Sequence, residues 1–192
     1  MFLETERLIL RKFEERDFND FCEYAMDSQM CLMMGRDEMA DIKAARLNFD
    51  WLKNKEERGY AIVYKESGKV IGNLTITEVS AQLKKCHELK EKKGCSMSFS
   101  ISREFQRKGL MYETLCSVID ELFCKENMDY LNCGYFNFNT ASENLQKKLG
   151  FSHFKTEQML HKGRNVIVIE TILWREAFFR KKEQYGKSGS AA

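Results

Sequence analysis

Apolar residues along the chain switch between two rhythms. Runs of consecutive or alternating apolar positions mark strands at Leu8–Leu10, closed by Arg11, and at Tyr60–Tyr64, Val70–Ile76, Cys95–Ile101 and Tyr130–Phe138, with a β-branched run over Arg164–Trp174. Between them the spacing becomes three and four. Phe18, Phe21, Cys22 and Ala25 share one face of a helix opening at Asp17, and Ala44, Ala45, Phe49 and Leu52 one face of a helix over Asp41–Lys55. Met111, Leu115, Val118, Ile119 and Leu122 form an apolar stripe over Lys108–Lys125, and a helix over Thr140–Leu149 stops at Gly150, the residue type suited to a left-handed helix end. Ser67-Gly68 folds the two runs that flank it into a hairpin. The charged stretch 82–94 predicts an excursion between two strands. The order β, α, α, β, β, β, α, β, α, β predicts an α/β fold with a mixed sheet.

Composition narrows the class. A chain of 192 residues, 43% apolar and 31% charged, predicts one domain over 1–180 with a flexible tail over 181–192. A formal net charge of +2 gives no footprint for nucleic acid. The seven cysteines are scattered without a C-x-x-C pair, which points to reduced thiols and a cytoplasmic location. Cys86-His87 with Cys95 lacks a second close pair, so no metal site is expected. The opening MFLETERLIL is too charged for a signal peptide, and no run approaches the ~20 apolar residues of a membrane span.

The candidate chemistry lies in Ser98–Glu113. There a strand ends, a loop carries Arg103, Arg107, Lys108 and Gly109, and a helix begins at once. A helix N-terminus presents N–H groups and a partial positive charge to phosphate oxygens. Gly109 permits close backbone approach and a left-handed conformation, and the basic side chains add attraction. Neither G-x-x-x-x-G-K-[ST] nor G-x-G-x-x-G occurs, which disfavours a nucleotide-binding protein.

Gln106-Arg-Lys-Gly109-Leu-Met111 resembles the acetyl-CoA signature Q/R-x-x-G-x-G/A of the GNAT N-acetyltransferase superfamily. Asn139-Thr-Ala-Ser142, followed by Lys148-Leu-Gly150-Phe151, is similar to its second signature. TERLILR at the start, with Gly163-Arg164 and Leu173-Trp-Arg-Glu176 at the end, resembles the ribosomal-protein (RimJ/RimL-type) branch. Two positions depart from the pattern: Met111 stands where Gly or Ala is usual, and Arg107 where this branch often has glycine.

The resemblance implies a mainly antiparallel central sheet with splayed central strands and helices on both faces. It implies acetyl-CoA as co-substrate, held by Phe99, Ile101, Gln106, Arg107, Lys108, Gly109, Leu110, Met111 and Asn139. It also implies direct attack of a primary amine, a peptide N-terminus or a small molecule, through a tetrahedral intermediate, in a monomer or homodimer. Many members protonate the leaving thiolate with a tyrosine; Gln146 holds that position here, and Ser142 holds the position of the branch's serine. Glu78, after the strand ending at Ile76, is the first candidate base and Glu170 the second; His87 and His161 are weaker candidates. The acceptor side is expected from the first two helices and the loop after the hairpin, where Phe18, Met30, Met33, Met34 and Trp51 lie. The rival reading is a non-catalytic CoA-binding sensor or interaction domain on the same fold.

Overall fold

The computed structural model describes residues 1–35, 41–54, 58–161 and 164–188. Lys55, the expected end of the second helix, and Gly163 of the closing motif lie outside the described residues, as does the side chain of His161. In chain order the elements are β1 (Leu3–Glu4), β2 (Leu8–Arg11), α1 (Phe18–Ala25), α2 (Ser28–Met33), α3 (Ile42–Lys53), β3 (Gly59–Tyr64), β4 (Val70–Glu78), α4 (Ala81–Lys84), β5 (Gly94–Ile101), α5 (Leu110–Cys124), β6 (Tyr130–Phe136), α6 (Thr140–Leu149), β7 (Ser152–His161), β8 (Arg164–Trp174) and α7 (Arg175–Ser188). The strands follow the order β1-β2-β3-β4-β5-β6-β8-β7. Pairing is antiparallel for β1–β2, β2–β3, β3–β4, β6–β8 and β7–β8, and parallel for β5–β6. This is the mixed, mainly antiparallel α/β fold expected.

Contacts divide the chain into two compact units, residues 1–77 with 97–119 and residues 78–96 with 120–192. The first unit is built on β1–β4. The first five residues of β3 are buried without alternation, because both faces of that strand are covered. One face packs on an aromatic cluster from α1 and α3. Phe13 and Phe49 meet edge to face with ring centroids 5.5 Å apart, and Phe21 and Phe49 pack tilted at 5.4 Å. Phe49 is fully buried, so its truncation to alanine should cost about 3–5 kcal/mol. Side-chain caps fix the helix starts: Asp41 accepts from the Ala44 N–H at 2.9 Å, and Asp27 from the Met30 N–H at 2.8 Å. Asp27 thereby turns the methionine run into α2, six residues long and too short to carry a readable stripe.

The second unit is built on β6, β8 and β7. β6 pairs with β8 from Tyr130↔Trp174 to Phe136↔Val168, and β7 returns along β8 to His161↔Arg164. β5 contributes only Gly94–Ser96 to this unit's ladder, against Tyr130–Asn132. The charged stretch after β4 is an excursion, as expected. It forms the single turn of α4, capped by Ser80, and Leu83 and Leu89 anchor it in a core with Val79, Tyr130 and Ile172.

Candidate active site

In the first unit β5 ends at Ile101, and the Ser102 N–H holds the exit by donating to the Ile71 carbonyl at 2.7 Å. One 3-10 turn over Arg103–Phe105 follows, then Gln106–Gly109, then α5. Arg107 (φ 59°) and Gly109 (φ 76°) both adopt the left-handed conformation, one on each side of Lys108. Positive φ values in a loop that leads into a helix N-terminus are the backbone feature from which anion-binding nests are built. A Cβ at Gly109 would meet only Arg7 Nη2, at 3.6 Å, within 4 Å, so the glycine is required by its φ and not by crowding.

The other residues of this turn divide by role. Arg107 and Lys108 are exposed, with Lys108 Nζ 5.1 Å from the centre of the Phe105 ring. Gln106 Nε2 donates to the Ile101 carbonyl at 3.2 Å and closes the turn onto the strand it left. Leu110 and Met111 are both buried. Their N–H groups belong to the first turn of α5. Phe99 is half-buried, and Ile101 is buried. A phosphate group fits this chemistry: two left-handed residues, a helix of 15 residues behind them and two exposed cations.

The turn is latched to the chain's first residues. Glu113, in the first turn of α5, accepts from Thr5 Oγ1 at 2.6 Å, the Arg7 N–H at 2.9 Å and Arg7 Nε at 2.7 Å, while Arg7 Nη1 donates to the Lys108 carbonyl at 3.0 Å. Burial alone would push the Glu113 carboxyl up, but the bonds from Thr5 and Arg7 bring it below its ordinary value. Sequence reading quoted the opening TERLILR as a family mark without a role; Thr5 and Arg7 are two of its residues.

Along β5, the Ser96 and Ser100 hydroxyls each bond a partner within their own unit. Ser100 Oγ donates to Asn73 Oδ1 at 2.6 Å, and Tyr24 donates to the same oxygen at 3.3 Å. Asn73 Nδ2 is buried without a partner. Beside this group a void of about 10 Å³, about one water in size, is lined by Tyr24, Ala25, Met30, Cys31, Met34 and Ser100. Of the residues expected on the acceptor side, Met30 is buried, Met33, Met34 and Phe18 are half-buried, and Trp51 is exposed.

In the second unit Asn139 caps α6, its Oδ1 accepting from the Ser142 N–H at 3.1 Å. The Ser142 hydroxyl is half-buried, and Gln146 Nε2 lies 2.9 Å from it. Gln146 Oε1 in turn lies 2.6 Å from Thr171 Oγ1. A cavity of about 240 Å³ borders this line of groups, among Tyr135, Glu143, Gln146, Lys147, Phe151, Ser152, His153 and Thr171.

Glu170 follows the opposite alternation along β8. It is the cross-strand partner of Gly134, as Thr171 is of Cys133, so the two side chains face opposite sides of the sheet. Asn132 Nδ2 donates to Glu170 Oε2 at 2.8 Å, and Ser96 Oγ donates to Asn132 Oδ1 at 2.7 Å. With no side chain at Gly134, the carboxylate occupies that space: an added Cβ would stand 3.1 Å from Oε2. Glu78 is placed differently. Its side chain is 90% exposed at the end of β4 and pairs with Lys84 at 3.0 Å. His87 is exposed, and His153 pairs with Thr156 Oγ1 at 2.9 Å. Burial pushes the Cys133 thiol well up, which removes it as a nucleophile. Among the described residues, no three His, Cys, Asp or Glu side chains cluster to hold a metal.

Comparison with known proteins locates these features in a family. Residues 7–152 match the acetyltransferase (GNAT) domain family. The uncharacterized N-acetyltransferase p20 of Bacillus licheniformis is 26% identical over 153 residues, covering 78% of this chain and 81% of that protein. A GNAT-family acetyltransferase from Bacillus anthracis superposes with a TM-score of 0.79 at 16% identity, over 92% of this chain and 99% of that one. The ribosomal-protein-S5-alanine acetyltransferase of Vibrio fischeri gives 0.71 at 17% identity, over 93% and 98%. The spermidine N-acetyltransferase of Vibrio cholerae, solved with CoA and spermine, gives 0.72 at 15%, over 91% and 99%.

Proposed function

Because this chain belongs to the GNAT acetyltransferase family, we propose that it moves the acetyl group of acetyl-CoA onto a primary amine, a peptide N-terminus or a polyamine-like small molecule. The observation that carries this reading is the left-handed pair Arg107 and Gly109 at the start of α5. This nest suits the pyrophosphate, with Arg107 and Lys108 as counter-charges and Gln106 and Ile101 holding the turn's shape. The amine classes are those named for two neighbours of the same fold, the ribosomal-protein-S5-alanine and spermidine enzymes.

Transfer to an amine also needs a base and a donor to the leaving sulfur. The ammonium of the acceptor gives one proton to a base, and the freed nitrogen pair attacks the thioester carbon. The C–N bond forms, the tetrahedral centre collapses, and the C–S electron pair leaves with sulfur. We assign the base to Glu170 rather than Glu78, because Glu170 is half-buried and aligned by Asn132, whereas Glu78 is exposed and engaged by Lys84. Since the Glu170 side chain faces the side of the sheet opposite Thr171, it takes the ammonium proton through water, before attack, rather than beside Ser142. Ser142 is the hydroxyl that hydrogen-bonds the departing sulfur, which then takes up the proton released from nitrogen. Asn139 fixes Ser142 by capping its helix.

Release of free thiol from acetyl-CoA, followed with an N-terminal alanine peptide and with spermidine, tests the reading. We expect amine-dependent release with at least one of them. Tight acetyl-CoA binding with no release from either would favour the non-catalytic sensor, and no binding of acetyl-CoA would reject both.

A further inference from the structure

Gln146 stands where many members of the family carry a tyrosine, and it cannot act as an acid. Yet it is 1% exposed and lies between two hydroxyls, Ser142 Oγ at 2.9 Å and Thr171 Oγ1 at 2.6 Å. Thr171 is 5% exposed and has a second acceptor in reach, the Cys133 carbonyl at 2.8 Å. One hydroxyl carries one proton, so Thr171 serves one of these two oxygens at a time.

That choice sets the direction of the whole line. When Thr171 donates to Gln146 Oε1, the amide nitrogen faces Ser142 and donates to Oγ, and the Ser142 proton stays available to a third group. When Thr171 donates instead to Cys133, the amide turns over. Its nitrogen then donates to Thr171, its oxygen takes the Ser142 proton, and Ser142 offers sulfur nothing.

Resting on the reading that Ser142 meets the leaving sulfur, we propose that Thr171 and Gln146 are positioning residues, a relay that runs Thr171→Gln146→Ser142 and so points the Ser142 proton at the thiolate. No proton crosses the relay. Gln146 and Thr171 keep theirs, and they fix which hydroxyl of the line is left to donate. In this chain the family's tyrosine is replaced by an amide that orients a serine one helical turn earlier.

The acidity of bound CoA tests this without any acceptor amine. Thiolate absorbance of the CoA complex, taken as a difference from the desulfo-CoA complex, is titrated from pH 6 to pH 10. A donated hydrogen bond favours the thiolate, so the wild-type complex should ionise below free CoA, and removing the donor should raise that midpoint by about one pH unit, a tenfold change in acidity. Thr171→Val, which lets the amide turn its oxygen onto Ser142, should raise it toward the Ser142→Ala value, with Thr171→Ser, which keeps the hydroxyl, returning it toward wild type. Gln146→Leu, which removes the orienting donor but leaves no acceptor for the Ser142 proton, should raise it by less. The double variant Ser142→Ala/Gln146→Leu should titrate like Ser142→Ala alone. A Ser142→Ala midpoint equal to wild type overturns the role of Ser142 itself. A shifted Ser142→Ala with unshifted Gln146→Leu and Thr171→Val leaves that role standing and overturns the relay. Should Thr171→Val fail to fold, Gln146→Leu alone decides: the relay stands if its midpoint rises above wild type and falls if it does not.

Discussion

Arg7 grips Glu113 from three positions: its Nε and Nη2 both meet Oε2 at 2.7 Å, and its own backbone N–H donates to Oε1 at 2.9 Å. Glu113 is an anion in the first turn of the helix whose start is proposed to hold a pyrophosphate. Left alone it would compete for the positive helix end; bound to Arg7, its charge is cancelled, and Arg7 Nη1 also steadies the Lys108 carbonyl. Arg7→Met should therefore weaken acetyl-CoA binding about tenfold, roughly 1.4 kcal/mol, while the fold loses about 1 kcal/mol because Arg7 is partly exposed. Glu113→Gln in the same background should recover part of the affinity. Titration calorimetry on the three variants checks this.

The same pair gives a pH dependence with a definite sign. The Glu113 carboxyl is held below its ordinary value, so its contribution to stability is complete above that value and is lost as the pH falls through the lowered one. Wild type should exceed Glu113→Gln in thermal midpoint at neutral pH, and the gap should close on acidification below about pH 4, the ordinary carboxylate range. A gap that is constant with pH would remove the ionic account of the latch.

Arg107 and Gly109 share a conformation but should respond oppositely to mutation. Arg107 has φ 59°, a conformation costing a side-chain-bearing residue about 1–2 kcal/mol, so Arg107→Gly should leave stability level or slightly raised while it weakens acetyl-CoA through loss of charge. Gly109→Val should lose about 1–2 kcal/mol of stability and most of the affinity. Denaturant midpoints read beside calorimetry separate the two effects.

Much of this was legible in the sequence, for physical reasons that vary along the chain. Leu8–Arg11, the Ser67-Gly68 hairpin, α5 and α6 all announced themselves, because a buried face and a turn residue agreed at each. β7 did not: its residues Ser152–His161 lie largely at a solvent-facing edge, and Lys155 and Glu157 pair along it, so the alternation that marks a strand is diluted. α2 was hidden by its brevity. At the candidate site, the basic glycine turn before α5 was readable from Arg107, Lys108 and Gly109, since glycine and charge are local signals. The latch from Thr5 and Arg7, the alignment of Glu170 by Asn132 and the Thr171–Gln146–Ser142 line were not, because each joins residues brought together only by strand register or by packing on α5 or α6.

Glu170 and Ser142 should separate by kinetic signature. Glu170→Gln should lower kcat at neutral pH by about 10²-fold or more and leave acetyl-CoA affinity near wild type, and Ser142→Ala should lower kcat by about tenfold, also without a change in affinity. Glu78→Gln should be close to wild type in both, since its carboxylate is 90% exposed and paired with Lys84. Steady-state rates with the better acceptor of the alanine peptide and spermidine check all three.

The measurement that bears most directly on the central claim is calorimetric titration of wild type and Gly109→Val with acetyl-CoA. Wild type should bind one equivalent, with affinity falling as salt rises because phosphate contacts are ionic, and Gly109→Val should bind at least tenfold more weakly. Absence of binding to wild type, or unchanged binding to Gly109→Val, would contradict the assignment of the turn between β5 and α5 as the acetyl-CoA site.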